Sequence, residues 1–340
     1  MLAKELSIIA RYSDPKRSPF NLVRLSPGQV AATNGNAGCS VPSSVTVEAA
    51  VPLRDFRRAV ATLKDPDIVL KRSTLHAKDK ATSFKFKTVP QSTLFPLPTA
   101  PTTGMTPLAG SIVSVLSALS GISDQDASVG GGTLDAIRLT PDWVAVATHG
   151  YLMAASGWDD PIVSERVSVV PDSFVGLDKT VSIGFDDNKI WIVDDETDQV
   201  RWANVLATAW PDSVIEDTLE VVKARTGRDV VVDVSEFTNL IDQALVLMEG
   251  EEFAALTVAD ECLELSGDFK HGKFDGAISA TDETVARVGV NPAHLKRILK
   301  VVQSDTLTLS FAEQNDPILV KAEWAGIELA GMVMPVYLSK

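Results

Sequence analysis

A chain of 340 residues that is 45% hydrophobic and 22% charged has the composition of a globular protein of two or three domains, which excludes a disordered or fibrous one. Its apolar runs, such as 111–119, are far shorter than the ~20 residues of a membrane span; Met1–Leu6 lacks the features of a secretory signal, and two distant cysteines, Cys39 and Cys262, supply neither a disulfide framework nor a zinc site, so a cytoplasmic location is expected. The net charge of −14 excludes a simple nucleic-acid coat, yet residues 1–97 hold 15 Lys+Arg against 7 Asp+Glu, whereas 98–220 hold 5 against 19 and 221–340 hold 11 against 19, so a single phosphate-facing surface is expected on an otherwise acidic chain.

In chain order, Leu2, Leu6, Ile9 and Ala10 share the apolar face of an opening helix. β-rich sequence with Pro-Gly turns follows, then a second helix over Leu53–Leu63 after Pro52 and a strand over Ser83–Val89. Pro96–Pro107 is rich in Pro and Thr and reads as a linker. Ile112, Val115, Leu116 and Leu119 form the stripe of a third helix. A short helix is expected near Ser173–Leu177, and strands over Lys189–Val193 and Val200–Leu206. Pro211–Gly227 reads as a second boundary. Ser235 is a plausible N-cap for a helix with Phe237, Leu240, Ile241, Ala244 and Leu245 on one face. His294–Val302 after Pro292 is the last helix, and strands over Thr306–Phe311, Ile318–Trp324 and Ile327–Met334 end the chain.

This order repeats. Val23–Pro27 resembles Ile137–Pro141, Ala32–Gly35 resembles Ala147–Gly150, and Phe95-Pro96 resembles Trp210-Pro211. The offsets agree at about 115 residues, close to a third of the chain, and each third reads helix, strands, helix, strands. The fold class is therefore α+β with three tandem units, divided as 1–98, 99–220 and 221–340.

Catalytic signatures are missing from the sequence: there is no phosphate loop, Gly-x-Gly-x-x-Gly or nucleophile elbow. His76, His149, His271 and His294 fall in no metal-ligand spacing. The run Asp194–Asp198 lacks the glycine and closing glutamate of an EF-hand and reads as an acidic hairpin turn. No enzyme, cofactor or metal is expected.

The C-terminal Gly331-Met332-Val333-Met334-Pro335-Val336-Tyr337-Leu338 is similar to the end of the bacterial DNA polymerase III β subunit, the β sliding clamp. Asn291–Leu299 resembles the last helix of that family, Val146–Tyr151 its second-domain Ala-Thr-Asp-Gly segment, and Phe95-Pro96 with Trp210-Pro211 the ends of its first two domains. The resemblance runs through essentially the whole chain. The chain departs from the family where it starts directly at the first helix without an opening strand, where His149 replaces an Asp, where Leu152 replaces an Arg, and where Ser339-Lys340 extend the tail; the expectation is a divergent member of viral origin.

The resemblance implies a head-to-tail homodimeric ring with helices lining the inner face and antiparallel sheets outside. It implies a processivity factor that encircles double-stranded DNA without sequence readout and tethers DNA polymerase, clamp loader and other clamp-binding peptides. DNA contact would fall to Lys4, Arg11, Lys16, Arg17, Arg54, Arg57, Arg58, Lys64, Lys179, Lys296, Arg297 and Lys300, which lie off the apolar helix faces or in the first loop. A partner-peptide groove would involve Thr148, Gly150, Tyr151, Leu152, Met153, Asn291, His294, Val333, Met334, Pro335, Val336, Tyr337 and Leu338. The alternative is a repeat-built structural or adaptor protein with the same fold and no DNA-tethering role.

Overall fold

The computed structural model describes residues 1–90, 93–94, 96–123, 136–148, 150–177, 180–186, 188–207, 210, 212–224, 228–281, 286–312 and 316–337. The chain opens with helix α1 (Leu2–Ile9), extended by a 3-10 turn at Ala10–Tyr12. Strands β1 (Leu22–Ser26), β2 (Gln29–Thr33), β3 (Ala37–Pro42) and β4 (Ala49–Pro52) lead to helix α2 (Leu53–Thr62) and the meander β5 (Asp67–Lys71), β6 (Thr74–Lys78), β7 (Ser83–Lys87). Next come β8 (Thr106–Leu108), α3 (Gly110–Ile122), β9 (Ile137–Leu139), β10 (Trp143–Ala147), β11 (Tyr151–Ser156) and β12 (Val167–Val169). A 3-10 turn at Pro171–Ser173 precedes β13 (Val181–Asp186), β14 (Lys189–Asp194) and β15 (Gln199–Asn204). Helix α4 (Asp212–Ala224) leads to β16 (Arg228–Asp233), α5 (Val234–Leu245), β17 (Ala254–Ala259), β18 (Cys262–Phe269), β19 (Gly272–Ser279) and β20 (Ala286–Val290). Helix α6 (Pro292–Leu299) and β21 (Thr306–Phe311), β22 (Ile318–Trp324) and β23 (Ile327–Val333) complete the fold.

The helix periods translate directly into burial. Leu2, Leu6 and Ile9 of α1 are buried, as are Leu53, Phe56 and Val60 of α2 and Phe237, Leu240, Ile241 and Ala244 of α5. Each such large apolar side chain contributes about 1.5–3 kcal/mol. Within the expected boundary Pro211–Gly227, Asp212–Ala224 forms α4, whose buried Ile215, Leu219 and Val222 recur at helical spacing. One expectation needs correction. The cap of α5 is Asp233, not Ser235: the Asp233 carboxylate accepts the Glu236 N–H at 2.8 Å, so the helix starts where β16 ends. The expected short helix of the middle third is the 3-10 turn at Pro171–Ser173, and Asp195–Asp198 is the turn between β14 and β15.

All ladders are antiparallel. The chain forms two compact units, Met1–Val113 with Asp172–Leu206 and Ser114–Pro171 with Ala207–Lys340. The first contains an eight-stranded sheet in the order β4-β1-β2-β3-β15-β14-β13-β8 and the three-stranded sheet β5-β6-β7. The second contains the eight-stranded sheet β12-β9-β10-β11-β23-β22-β21-β16 and the four-stranded sheet β19-β18-β17-β20. One pairing rule runs through them. β1 lies between β2 and β4 as β9 lies between β10 and β12 and β17 between β18 and β20. β3 joins β15 and β11 joins β23, whereas β19 and β7, which hold the equivalent places, are sheet edges among the described residues. No described helix is long and apolar enough to cross a membrane.

Candidate functional site

In the first unit α1 packs against α2, and the exposed side of this pair is basic. Lys4 lies on α1, Arg11 on the 3-10 turn, and Arg54, Arg57 and Arg58 on α2; all are exposed except the half-buried Arg57. Lys16, Arg17 and Lys64 are exposed in the adjoining loops. Arg17 lies over the Phe20 ring at 4.8 Å, which holds the loop cation in place. Arg11 Nη1 donates to the Val175 carbonyl at 3.4 Å. Lys179 lies outside the described residues.

The basic positions of the second unit are more committed. Lys296 Nζ is 2.6 Å from Asp242 Oδ2 on α5, tying the two helices together. Arg297 sits over the Tyr151 ring at 6.0 Å and donates to its hydroxyl at 3.4 Å. Lys300 is exposed.

Residues expected to form the groove all lie in the second unit, except Leu338, which is outside the described residues together with the neighbouring His149. The Thr148 hydroxyl accepts the Gly150 and Tyr151 N–H groups at 3.1 and 3.3 Å, fixing the turn into β11. Gly150 is required by its neighbour: a Cβ there would overlap the His294 imidazole. His294 and Tyr151 are in ring contact, centroids 5.7 Å apart, and the Tyr151 hydroxyl donates to the Ile122 carbonyl. Asn291 is buried and caps α6 by accepting the Ala293 N–H at 2.9 Å. The tail is pinned at two points: Met334 N–H donates to Gly150 O at 2.9 Å and Val336 N–H to Gly289 O at 2.8 Å. Leu152, Met153 and Val333 are buried in the sheet, Pro335 and Val336 are half-exposed, and Met334 and Tyr337 are 41% and 82% exposed. Apolar side chains held at the surface by backbone bonds on both sides can receive an apolar anchor without reordering.

Sequence reading missed the support beneath this region. Asp212, the first residue of α4, accepts from Arg138 Nε at 2.9 Å and Nη2 at 2.6 Å, and Arg166 reaches it at 3.4 Å and Glu216 at 2.6 Å. Partial burial raises the Asp212 pKa, but the hydrogen bonds and charges of Arg138 and Arg166 outweigh this and hold the carboxyl below its ordinary value. Helix α4 in turn packs against β22 and β23. In the first unit, Cys39 on β3 stands opposite Arg201 on β15; burial pushes its thiol up to about 12 despite the lowering influence of Arg201 and Gln199. Among the described residues no cluster of three or more His, Cys, Asp or Glu is arranged to hold a metal.

No family model matches the chain, and no curated protein matches it by sequence. Solved structures match it along its length. The DNA polymerase III subunit beta of Pseudomonas aeruginosa aligns with TM-score 0.76 at 18% identity, covering 99% of this chain and 98% of its own. A putative DNA polymerase III beta subunit from Eubacterium rectale gives 0.81 at 14%, and the DNA polymerase sliding clamp of Bacillus subtilis 0.79 at 13%, each covering 99% of this chain and 97% of its own. At these identities the likeness establishes the fold: antiparallel sheets and helices in the sliding-clamp arrangement, shared with the proteins that the sequence resembles.

Proposed function

We propose that the protein is a DNA sliding clamp, a non-enzymatic processivity factor that closes as a head-to-tail ring of two copies, each carrying three clamp domains (1–98, 99–220 and 221–340). The observation that carries this reading is the pairing rule. Two of its three seams are made within the chain, β3 with β15 and β11 with β23, and the halves of the third, β19 and β7, are sheet edges. A second copy completes it when β7 of one protomer pairs with β19 of its partner, and a head-to-tail contact repeated once closes the ring.

The residues on these edges favour one register. At the β3–β15 seam Gly38 faces Trp202, whose indole occupies the space of a Cβ. Placing Phe86 of β7 opposite Gly276 of β19 reproduces that pairing. It also sets Phe84 opposite Ile278 on the inner face and Lys87 opposite Asp275 on the outer face, combinations that stabilise an antiparallel pair by about 0.2–1 kcal/mol each. Val246 is 77% exposed, next to Leu247, whose carbonyl accepts the His271 N–H at the β18–β19 turn, so apolar surface adjoins this edge.

DNA would thread past the basic helices, contacted through phosphates by α1, α2 and the loop carrying Lys16 and Arg17. The first domain supplies most of this charge, since Lys296 and Arg297 are already engaged. Topology holds the DNA, so the contacts need only be weak. The surface formed by Met334, Pro335, Val336 and Tyr337 beside His294 would receive an apolar anchor of a polymerase or loader peptide, and Leu152 and His294 would bias it toward dedicated partners. Solubility in the cytoplasm, with no membrane association, belongs to the same reading.

A Lys85→Cys, Ala277→Cys double variant tests the seam, because these exposed residues face each other in this register. Oxidation is expected to give a covalent species of twice 36.4 kDa that stays on nicked circular DNA in high salt and leaves when the circle is cut. A monomeric mass at every concentration, with no cross-link, would refute the ring.

A further inference from the structure

The two internal seams are built alike but differ in chemistry at one position. By the offset of about 115 residues that relates Ala32–Gly35 to Ala147–Gly150, Cys39 corresponds to Ala154. Across its seam Ala154 faces Ala330, whereas Cys39 faces Arg201. A pair of buried alanines therefore suffices to close such a seam, and strand pairing does not require a guanidinium on β15. Arg201 is nevertheless only 7% exposed, and burying a charge without a counter-charge is costly. Its acceptors are neutral oxygens. Nη1 donates to Val175 O at 2.9 Å and to Ser173 O at 3.4 Å, and Nε and Nη2 donate to the Gln199 side-chain oxygen at 2.6 and 3.0 Å.

A second guanidinium converges on the same place. Arg11 Nη1 donates to the Val175 carbonyl at 3.4 Å, so two cations meet at one oxygen. Gly176 permits this approach, because a Cβ there would lie 2.8 Å from Arg11 Nη1. Arg11 and Arg201, with Lys4, Tyr12 and Gly176, line a cavity of about 230 Å³. This is below the ~300–1,000 Å³ of pockets for drug-sized ligands and suits one small group. Among the described residues Lys4, Arg11 and Arg201 have no carboxylate as an ion-pair partner, in a chain that carries 45 acidic side chains. Glu5 and Asp194 line the adjoining cavity and not this one. The hydroxyls of the wall donate inward, Ser7 to Ala3 O at 2.9 Å and Tyr12 to Asp172 O at 3.0 Å. The cavity thus presents three cations and no competing anion.

We infer that this cavity is a phosphate site, in which Arg11 clamps the phosphate oxygens, Lys4 adds charge and Arg201 supplies a fixed positive field from beneath. A guanidinium matches phosphate geometry with paired N–H groups, and a buried cation acts through a lower dielectric than a surface one. Two sources carry the group: free phosphate or a nucleotide, and the backbone of DNA. The site is made within the first unit and does not depend on the ring. Where DNA is the source, Arg201 and the cavity join a contact surface otherwise made of exposed helix and loop cations.

The probe is inorganic phosphate, titrated into the full chain by calorimetry at constant ionic strength in chloride and located by amide shifts in NMR. One saturable site is expected, with shifts centred on Arg11, Tyr12 and Gly176 and with competition from sulfate. Arg11→Gln, at an exposed position, is expected to weaken binding at least tenfold. Arg201→Ala is expected to do the same, and the alanine pair of the second seam shows that the strands can pair without the guanidinium; if that variant fails to fold, Arg11→Gln decides alone. Undiminished binding by Arg11→Gln, shifts centred elsewhere, or equal binding of chloride would overturn the site. With phosphate bound, a DNA duplex that displaces it identifies the backbone as the source, and one that leaves it in place identifies free phosphate or a nucleotide.

Discussion

Asp212 allows the energetics of the second unit to be tested at a single atom pair. Replacing it with Asn keeps the shape and removes the charge, while Arg138 remains with 12% of its side chain exposed. Breaking a buried ion pair costs about 3–5 kcal/mol. Here the Ser168 hydroxyl, 3.2 Å from Arg138 Nη1, and the 19% exposure of Asp212 soften the loss. The loss of a favourable anion at the α4 N-terminus adds ~0.3–1 kcal/mol. A net destabilisation of about 2–3 kcal/mol lowers the melting temperature of a unit of this size by about 5–10 °C. Differential scanning calorimetry at pH 7 measures it directly. The pH dependence supplies a second check. The folded pKa of Asp212 lies below its unfolded value of ~3.9, so its contribution is complete above that value and is lost as pH falls through the folded one. The gap between wild type and variant therefore closes in strong acid and stays constant from about pH 6 to 8. A melting temperature unchanged at pH 7 would refute the assignment of Asp212 as the anchor of α4.

Three further outcomes follow from the geometry. Gly38→Ala forces a methyl into the Trp202 indole at the β3–β15 seam, an overpacking that costs about 1–3 kcal/mol or more; a denaturant midpoint equal to wild type would show that the indole can move aside. Gly150→Ala displaces His294 with the tail pins at Gly150 O and Gly289 O left available; it is expected to weaken several-fold the binding of a Gln-Leu-x-Leu-Phe peptide, the kind of clamp-binding segment that the sequence resemblance implies, and unchanged affinity would place the peptide site elsewhere. Cys39, buried and with its thiol raised to about 12, is expected to resist iodoacetamide at pH 8 until denaturant is added; mass spectrometry showing prompt alkylation in the native protein would contradict its burial.

What the sequence disclosed was local order. The opening helix was legible in Leu2, Leu6 and Ile9, and α6 in the Leu295, Ile298 and Leu299 stripe, because a helix writes its buried face at a fixed spacing; the bounds of α6 are Pro292–Leu299 and not the expected His294–Val302, since Asn291 caps it one residue before the proline. Helix α4 was legible in principle through Ile215, Leu219 and Val222, but Pro211-Asp212-Ser213 also fits a turn, and the tertiary bond from Arg138 that makes it a helix start leaves no local mark. The cap at Asp233 was obscured by the strand running straight into the helix. The seams were invisible for the same reason as the Arg138 bond, since strands so distant in sequence carry no signal of one another. Of the expected groove residues, those at the tail lie at the surface, while Leu152, Met153 and Val333 show how an alternating strand divides neighbours between surface and core.

The two internal seams also set the order in which the chain can assemble. Cys39 waits for Arg201 and Met153 for Gly331, so each large sheet joins segments separated by well over a hundred residues. Such long-range closures are slow, because the entropy of the intervening loop is lost before the pairing returns anything. On the ribosome β3 and β11 emerge as unprotected edges long before their partners exist, and at ~5–20 residues per second that interval lasts for many seconds. The nascent protein therefore passes through a stage in which it is most open to mispairing at the strands that later hold it together.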